Sequence, residues 1–280
     1  MSRLQIAFSP CPNDTFVFHA LVHGLIEGTP EFDVTYADID ITNHWAESGN
    51  GPDVMKISYA ALPWALSEYA LLPCGGALGR GCGPLILTKQ ERSALDLAEC
   101  EVAVPSERST AYLLFRLWAA QQVPGGAPRK ITVMPFDEIM PAVRDGKIDA
   151  GLVIHEARFT YPSYGLKLMT DLGNWWEGDT GLPIPLGAIV ARRSLDLDSL
   201  TKWIRASVEY AWKNSTVSQA YVLHHAQEMA PEVAKAHIDL YVNSFTAELG
   251  EAGYAAVRAL LDRAAKEGLV PEMDAKALWF

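Results

Sequence analysis

His155 is the side chain best placed to move a proton. It follows the apolar run Ala150-Gly151-Leu152-Val153-Ile154, which reads as a strand, and it precedes Glu156. Ligands of open α/β sheets lie beyond the carboxyl ends of strands, where such a histidine projects. Imidazole titrates near neutrality, as a general base must. A strand-end histidine held by hydrogen bonds for purely structural reasons has the same sequence, so the position alone leaves both roles open. Three segments put small polar residues where a strand hands over to a helix. They are Ser9-Pro10-Cys11-Pro12-Asn13-Asp14-Thr15, Lys56-Ile57-Ser58-Tyr59 and Pro105-Ser106-Glu107-Arg108-Ser109-Thr110. Helix N-termini carry backbone N–H groups without intrahelical partners and a positive dipole end, so they suit carboxylates. Ser, Thr, Asn and Asp are also ordinary caps.

Other chemistries find less support. His19 and His23 stand four apart on a predicted helix, a spacing that can hold a metal, but no HExxH glutamate or third ligand accompanies them. His44, His224, His225 and His237 fall on helices, in exposed or interhelical positions. No metal site is expected. The glycines of Gly75-Gly76-Ala77-Leu78-Gly79-Arg80-Gly81-Cys82-Gly83 match neither a P-loop nor a dinucleotide fingerprint, because a β-rich run follows them instead of a helix. They read as a turn-rich lead-in, with Arg80 near the ligand. No GxSxG elbow supports Ser-His-Asp hydrolysis.

These residues must be held by a sizeable fold. The chain has 280 residues, 49% of them hydrophobic and 20% charged, the proportions of a globular protein with a substantial core. The net charge of −11 and the lack of any basic run exclude nucleic acid as an expected partner. No apolar stretch reaches the ~20 residues of a membrane span. Cys11, Cys74, Cys82 and Cys100 form neither a CxxC pair nor a metal-ligand spacing, and read as reduced thiols. No charged and apolar leader precedes the first strand, so a cytoplasmic location is expected.

Strand-like and helical runs alternate, the signature of α/β architecture. Strands are predicted at 4–8, 32–37, 54–57, 101–105, 130–134 and 150–154, with helices at 15–26, 41–48, 59–68, 110–122 and 136–145. After Arg192 the pattern is helical, over 198–213, 216–229, 231–243 and 251–268. Two β-rich runs flanked by Gly and Pro, 84–88 and 186–191, break the alternation. If both cross between lobes, 1–88 and 190–280 form lobe one and 89–189 form lobe two, closing on a ligand in the cleft between them. A single doubly wound sheet satisfies the same alternation.

Several of these segments resemble the signatures of the 1,4-dihydroxy-6-naphthoate synthases of the futalosine route to menaquinone. Phe8-Ser9-Pro10-Cys11-Pro12-Asn13-Asp14-Thr15-Phe16 looks like their N-terminal motif. Lys56-Ile57-Ser58-Tyr59-Ala60-Ala61, Gly75 to Gly81 and Ser109-Thr110-Ala111-Tyr112 follow in order. The most specific run is Gly151-Leu152-Val153-Ile154-His155-Glu156-Ala157-Arg158-Phe159-Thr160-Tyr161. Asp171-Leu172-Gly173, the stretch from Gly181 to Ile189 and Tyr241-Val242-Asn243-Ser244-Phe245 complete a resemblance that spans nearly the whole chain.

The resemblance implies a two-lobed periplasmic-binding-protein-like fold of type II, with two crossovers and no cofactor. It implies a lyase that releases the naphthoate from cyclic dehypoxanthinyl futalosine, a small molecule bearing a carboxylate. His155 falls on the family's proton acceptor, and Lys56, Ile57, Ser58, Ser109, Thr110 and Ala111 fall on its substrate-contacting segments. Asn13, Asp14 and Thr15 are expected to join them from the first strand-to-helix junction. Two alternatives share the fold: a binding protein for a small carboxylate, and the sister enzyme that dehydrates chorismate. The missing leader and His155 disfavour the first, and the IHE and SPCPNDT motifs disfavour the second. The sequence fixes no oligomeric state.

Overall fold

The computed structural model describes residues 3–226 and 230–279. In chain order it runs β1 (Leu4–Phe8), α1 (Pro12–Val22), β2 (Phe32–Tyr36), α2 (Ile39–Ser48), β3 (Val54–Ser58), α3 (Leu62–Ala65) and β4 (Tyr69–Gly79). Then follow β5 (Leu85–Thr88), β6 (Glu101–Val104), α4 (Thr110–Gln122), β7 (Lys130–Val133), α5 (Phe136–Arg144), β8 (Ala150–Val153), α6 (Ala157–Thr160), β9 (Lys167–Asp171) and α7 (Leu172–Thr180). The last stretch holds β10 (Ile184–Arg192), α8 (Leu197–Lys213), α9 (Gln219–His225), α10 (Pro231–Tyr241), α11 (Ser244–Ala247) and α12 (Gly250–Lys266).

The chain divides into two compact units, Met1–Gly79 with Pro185–Phe280, and Arg80–Ile184. These divisions lie a few residues before the expected lobe ends at 88 and 189, for a hydrogen-bonding reason. β5 pairs antiparallel with β8 and β9 of the second unit, and β10 pairs antiparallel with β3 of the first. Each strand therefore pairs with the sheet of the unit that follows the division.

The first unit is built on a sheet of order β2-β1-β3-β10-β4, with β1 parallel to both β2 and β3. Every residue of β3 is buried, as expected of a strand covered on both faces. Phe8, Phe18, Leu21, Ile189, Ile204 and Val208 fill the core between this sheet and helices α1 and α8. The second unit has a sheet of order β7-β6-β8-β5-β9, with β6 parallel to β7 and β8. Its core packs Leu85, Leu87, Ile139, Val143 and Val153.

Some local expectations need correction. The helix expected over 59–68 is a 3-10 turn at Tyr59–Ala61 and a single α-turn at Leu62–Ala65, because β4 takes the chain from Tyr69. The glycines from 75 onward begin inside that eleven-residue strand, not in a turn-rich lead-in. Gly75 adopts φ +81°, and a Cβ there would lie 2.8 Å from Ile204 and 2.9 Å from Ile189. Glycine at this point lets α8 and β10 approach the backbone. Strand β9 and helix α7 have no counterpart among the expected elements. The helix expected over 216–229 begins at Gln219, and its predicted end lies outside the described residues. Among the described residues, no helix is long and apolar enough to cross a membrane.

Candidate functional site

In the first unit, β1 ends at Phe8 and the chain turns through Ser9-Pro10-Cys11 into α1, with Pro12 in its first turn. Proline is preorganised for that position and lacks an N–H that would go unpaired. The turn buries Asn13, Asp14 and Thr15. Asp14 gathers three donors: the Ser9 hydroxyl at 2.8 Å, the Asn13 amide at 2.7 Å and the Lys56 ammonium. Lys56 comes from the middle of β3, and only 6% of its side chain and 2% of that of Asp14 are exposed. A Cβ on Gly187 would lie 2.7 Å from Cε of Lys56, so the lysine stem runs over that glycine on β10.

Two further side chains, His237 and Asn43, hydrogen-bond to Asn13 and to Ser58. The Asn13 side-chain oxygen lies 3.0 Å from Nε2 of His237 on α10, a histidine only 1% exposed. The Asn43 side chain on α2 straps the end of β3. It accepts from the Ser58 amide at 2.7 Å and donates to the Ser58 hydroxyl at 3.0 Å. Only burial reveals these partners; their helical positions gave no signal. Thr15 instead donates back to the Cys11 and Pro12 carbonyls at 3.0 and 3.3 Å, and Ile57 is wholly buried. Lys56, Asp14 and Asn13 thus meet in one buried polar network, Ser58 is held by Asn43, and the Thr15 hydroxyl bonds its own turn.

In the second unit, Ser109 caps α4 by accepting from the Tyr112 amide at 3.1 Å, and its hydroxyl donates to the Ser106 carbonyl at 3.1 Å. Thr110 and Ala111 form the first turn of α4, both buried. The amides of a first turn have no intrahelical acceptor, which leaves that end electropositive.

His155 follows β8, one residue beyond Ile154, and is half-buried. It has φ +52°, the only positive φ outside glycine among the described residues. The left-handed region is costly for a residue with a Cβ, and such outliers cluster at functional sites. Phe136 at the start of α5 meets the imidazole edge-to-face, ring centroids 5.7 Å apart. Three residues on, Arg158 donates to the Gly83 carbonyl at 2.8 Å and to Asp171 at 2.6 Å.

Among the described residues no group of three or more His, Cys, Asp or Glu could hold a metal ion. The His19 and His23 rings pack against each other at a tilt of 30°, centroids 4.4 Å apart. Burial pushes the thiols of Cys74 and Cys82 up to about 12, so both stay protonated and unreactive near neutrality. Arg80 donates to Glu177 and to the Gly181 carbonyl within its own unit.

Residues 4–266 match a family model described as menaquinone biosynthesis. A protein of Streptomyces coelicolor named 1,4-dihydroxy-6-naphtoate synthase is 65% identical over 99% of this chain and 98% of its own length. A protein of the same name from Thermus thermophilus is 44% identical over 96% of each chain. Among solved structures, protein AF1704 from Archaeoglobus fulgidus superposes with a TM-score of 0.87 at 32% identity, over 96% of this chain and 98% of its own. The alkanesulfonate-binding protein SsuA from Xanthomonas axonopodis pv. citri gives 0.74 at 14% identity, over 100% and 98%. That last likeness is one of fold, the periplasmic-binding-protein type.

Proposed function

The chain belongs to the menaquinone biosynthesis family and is an enzyme with the activity of its 1,4-dihydroxy-6-naphthoate synthases; on that premise we propose that it is a lyase in which His155 is the general base. The substrate of this reading is cyclic dehypoxanthinyl futalosine, and the products are the naphthoate and a sugar-derived fragment. The observation that carries it is the left-handed backbone at His155, strain kept at the carboxyl end of a strand.

Fragmentation to an aromatic dihydroxy product requires removal of a proton while negative charge spreads onto oxygen. Neutral imidazole takes the proton. Hydrogen-bond donors fixed beforehand stabilise the developing charge without reorganising. The reading assigns substrate contact to Asn13, Asp14 and Thr15, to Lys56, Ile57 and Ser58, and to Ser109, Thr110 and Ala111. Buried hydroxyls and amides carry the contacts of Ser58, Asn13 and Thr110. Ala111 and Ile57 offer only backbone, and the first turn of α4 suits the substrate carboxylate. The lobes of this reading are the discontinuous first unit and the continuous second. The four free cysteines support a reducing compartment, the cytoplasm.

His155→Asn keeps some hydrogen bonding but removes the base. We expect kcat to fall by about 10²–10⁴-fold with substrate affinity little changed, since a base acts in the transition state. An imidazole base works only unprotonated, so kcat/KM of the parent falls on the acid side, and that limb vanishes in the variant. Parent-like turnover with the limb intact would place the base elsewhere. Chorismate supplied to the same protein separates this activity from the sister dehydratase, and binding without turnover would mark a solute-binding protein.

A further inference from the structure

A histidine in the left-handed region does not hold itself there, so some neighbour must impose that backbone. The second unit supplies one, three residues along the chain. The Arg158 amide donates to the His155 carbonyl at 3.3 Å, which ties the arginine to the turn itself. Its guanidinium then spans two other segments, with Nη1 on the Gly83 carbonyl at 2.8 Å and Nη2 on Oδ2 of Asp171 at 2.6 Å. Only 18% of the Arg158 side chain and 6% of that of Asp171 are exposed, so water screens this pair little.

Both anchor points are themselves fixed. Oδ1 of Asp171 caps α7, accepting from the Gly173 amide at 2.8 Å and the Asn174 amide at 3.2 Å. The Leu172 amide donates to the Pro84 carbonyl at 3.0 Å. Beside them the two backbones touch. A Cβ on Gly83 would lie 2.1 Å from the Gly173 nitrogen, and one on Gly173 would lie 2.8 Å from the Gly83 nitrogen. The start of β5 and the start of α7 therefore form a rigid base with no room for a side chain. Arginine suits a link to it, because a planar fork meets two acceptors at once where an ammonium offers only a point charge.

We propose that Arg158 is the positioning residue for His155: it pins the turn after β8 to the Gly83 carbonyl and the Asp171 carboxylate, and so fixes the direction of the imidazole. The proposal rests on the assignment of His155 as the base. Arg158 touches no substrate in this role and acts only through the histidine.

The test is a cycle of variants at positions 155 and 158 in the full chain, assayed for turnover. Misplacing a catalytic group by an ångström costs on the order of 100-fold. Arg158→Lys, which keeps the charge but loses the fork, should lower kcat by about 10- to 100-fold and change KM by less than about threefold. Added guanidinium at millimolar concentration should restore part of the rate of Arg158→Ala. In a His155→Asn background Arg158→Lys should cost nothing further, because the group it positions is gone. An equal loss in both backgrounds, or a parent-like rate in Arg158→Lys, overturns the proposal. Asp171→Asn keeps the Oδ1 cap on α7 while removing the charge facing Arg158, and reads the same coupling if an Arg158 variant does not fold. His155→Asn alone reports separately on the base: a parent-like rate there defeats that assignment, whatever the Arg158 variants do.

Discussion

Lys56 and Asp14 show how one residue pair can serve the fold before it serves a ligand. An ammonium and a carboxylate, each almost fully buried, survive only because each neutralises the other and further donors fill the carboxylate. Removing one partner leaves an uncompensated charge in the core, at a cost of about 3–5 kcal/mol. Lys56→Met should therefore lower the melting temperature by about 6–20 °C, at roughly 2–4 °C per kcal/mol for a unit of this size. Asp14→Asn combined with Lys56→Met should recover most of that loss, since no charge then stays buried. A Lys56→Met protein that melts like the parent would mean that water reaches Asp14. The spacing of Lys56 within an apolar strand was legible in the sequence, but its partner 42 residues away was not.

At the scale of elements, α9 docks on α1 and β2 through rings. His19 packs tilted against His23, Tyr221 meets His23 and His225 edge-on, and Tyr36 stacks on His225 with centroids 4.1 Å apart. The Tyr36 and Tyr221 hydroxyls are hydrogen-bonded at 2.6 Å. The pKa of His19 is lowered first by burial and then by His23; that of His225 is lowered by burial, then by His224 and His23. The folded chain therefore prefers both rings neutral. Above about 6.5, the ordinary value, neither state holds the protons and this stability is complete. As pH falls below it the unfolded chain binds protons first, and stability is lost toward the lower folded values. The melting temperature should drop between pH 7.5 and 5.5, and less so in a His19→Asn/His225→Asn variant. An identical drop in both proteins would assign the acid sensitivity to other groups. The i, i+4 spacing of His19 and His23 was visible in the sequence, yet only packing shows that the rings serve to pack against each other and Tyr221.

For the whole molecule, the two sheets share one plan. Each has three parallel strands, then a strand that runs antiparallel to the third; that strand opens the second unit but comes to the first only from its returning segment. The consequence differs between the units. The second sheet draws only on strands between Leu85 and Asp171, a continuous stretch, whereas the first needs β10 between β3 and β4. A fragment of residues 80–184 should fold alone, giving dispersed amide resonances and a cooperative melt. A fragment ending at Gly79 should not, because β3 and β4 lack the strand that joins them. An unfolded 80–184 fragment would show that the second unit depends on the rest of the chain.

The sequence by itself determined the α/β class, the main strands, the helical C-terminal part and the motifs that place the chain in its family, because hydrophobic periodicity and contiguous motifs are local properties. His155 was legible for the same reason: a strand and its end are read from neighbours in sequence. Tertiary structure decided the rest. The eleven-residue strand β4 was hidden by its glycines, of which Gly75 gives room to Ile189 and Ile204 and Gly76 to the Gly187 carbonyl. Edge strand β9 was hidden because its first residues are exposed and lack a buried strand's apolar run. The Asn43–Ser58 strap, the Asn13–His237 contact and the Arg158–Asp171 clamp join residues 15, 224 and 13 positions apart. Such pairings have no signature in one sequence, because the burial that makes an unpaired polar group costly exists only once the chain has folded.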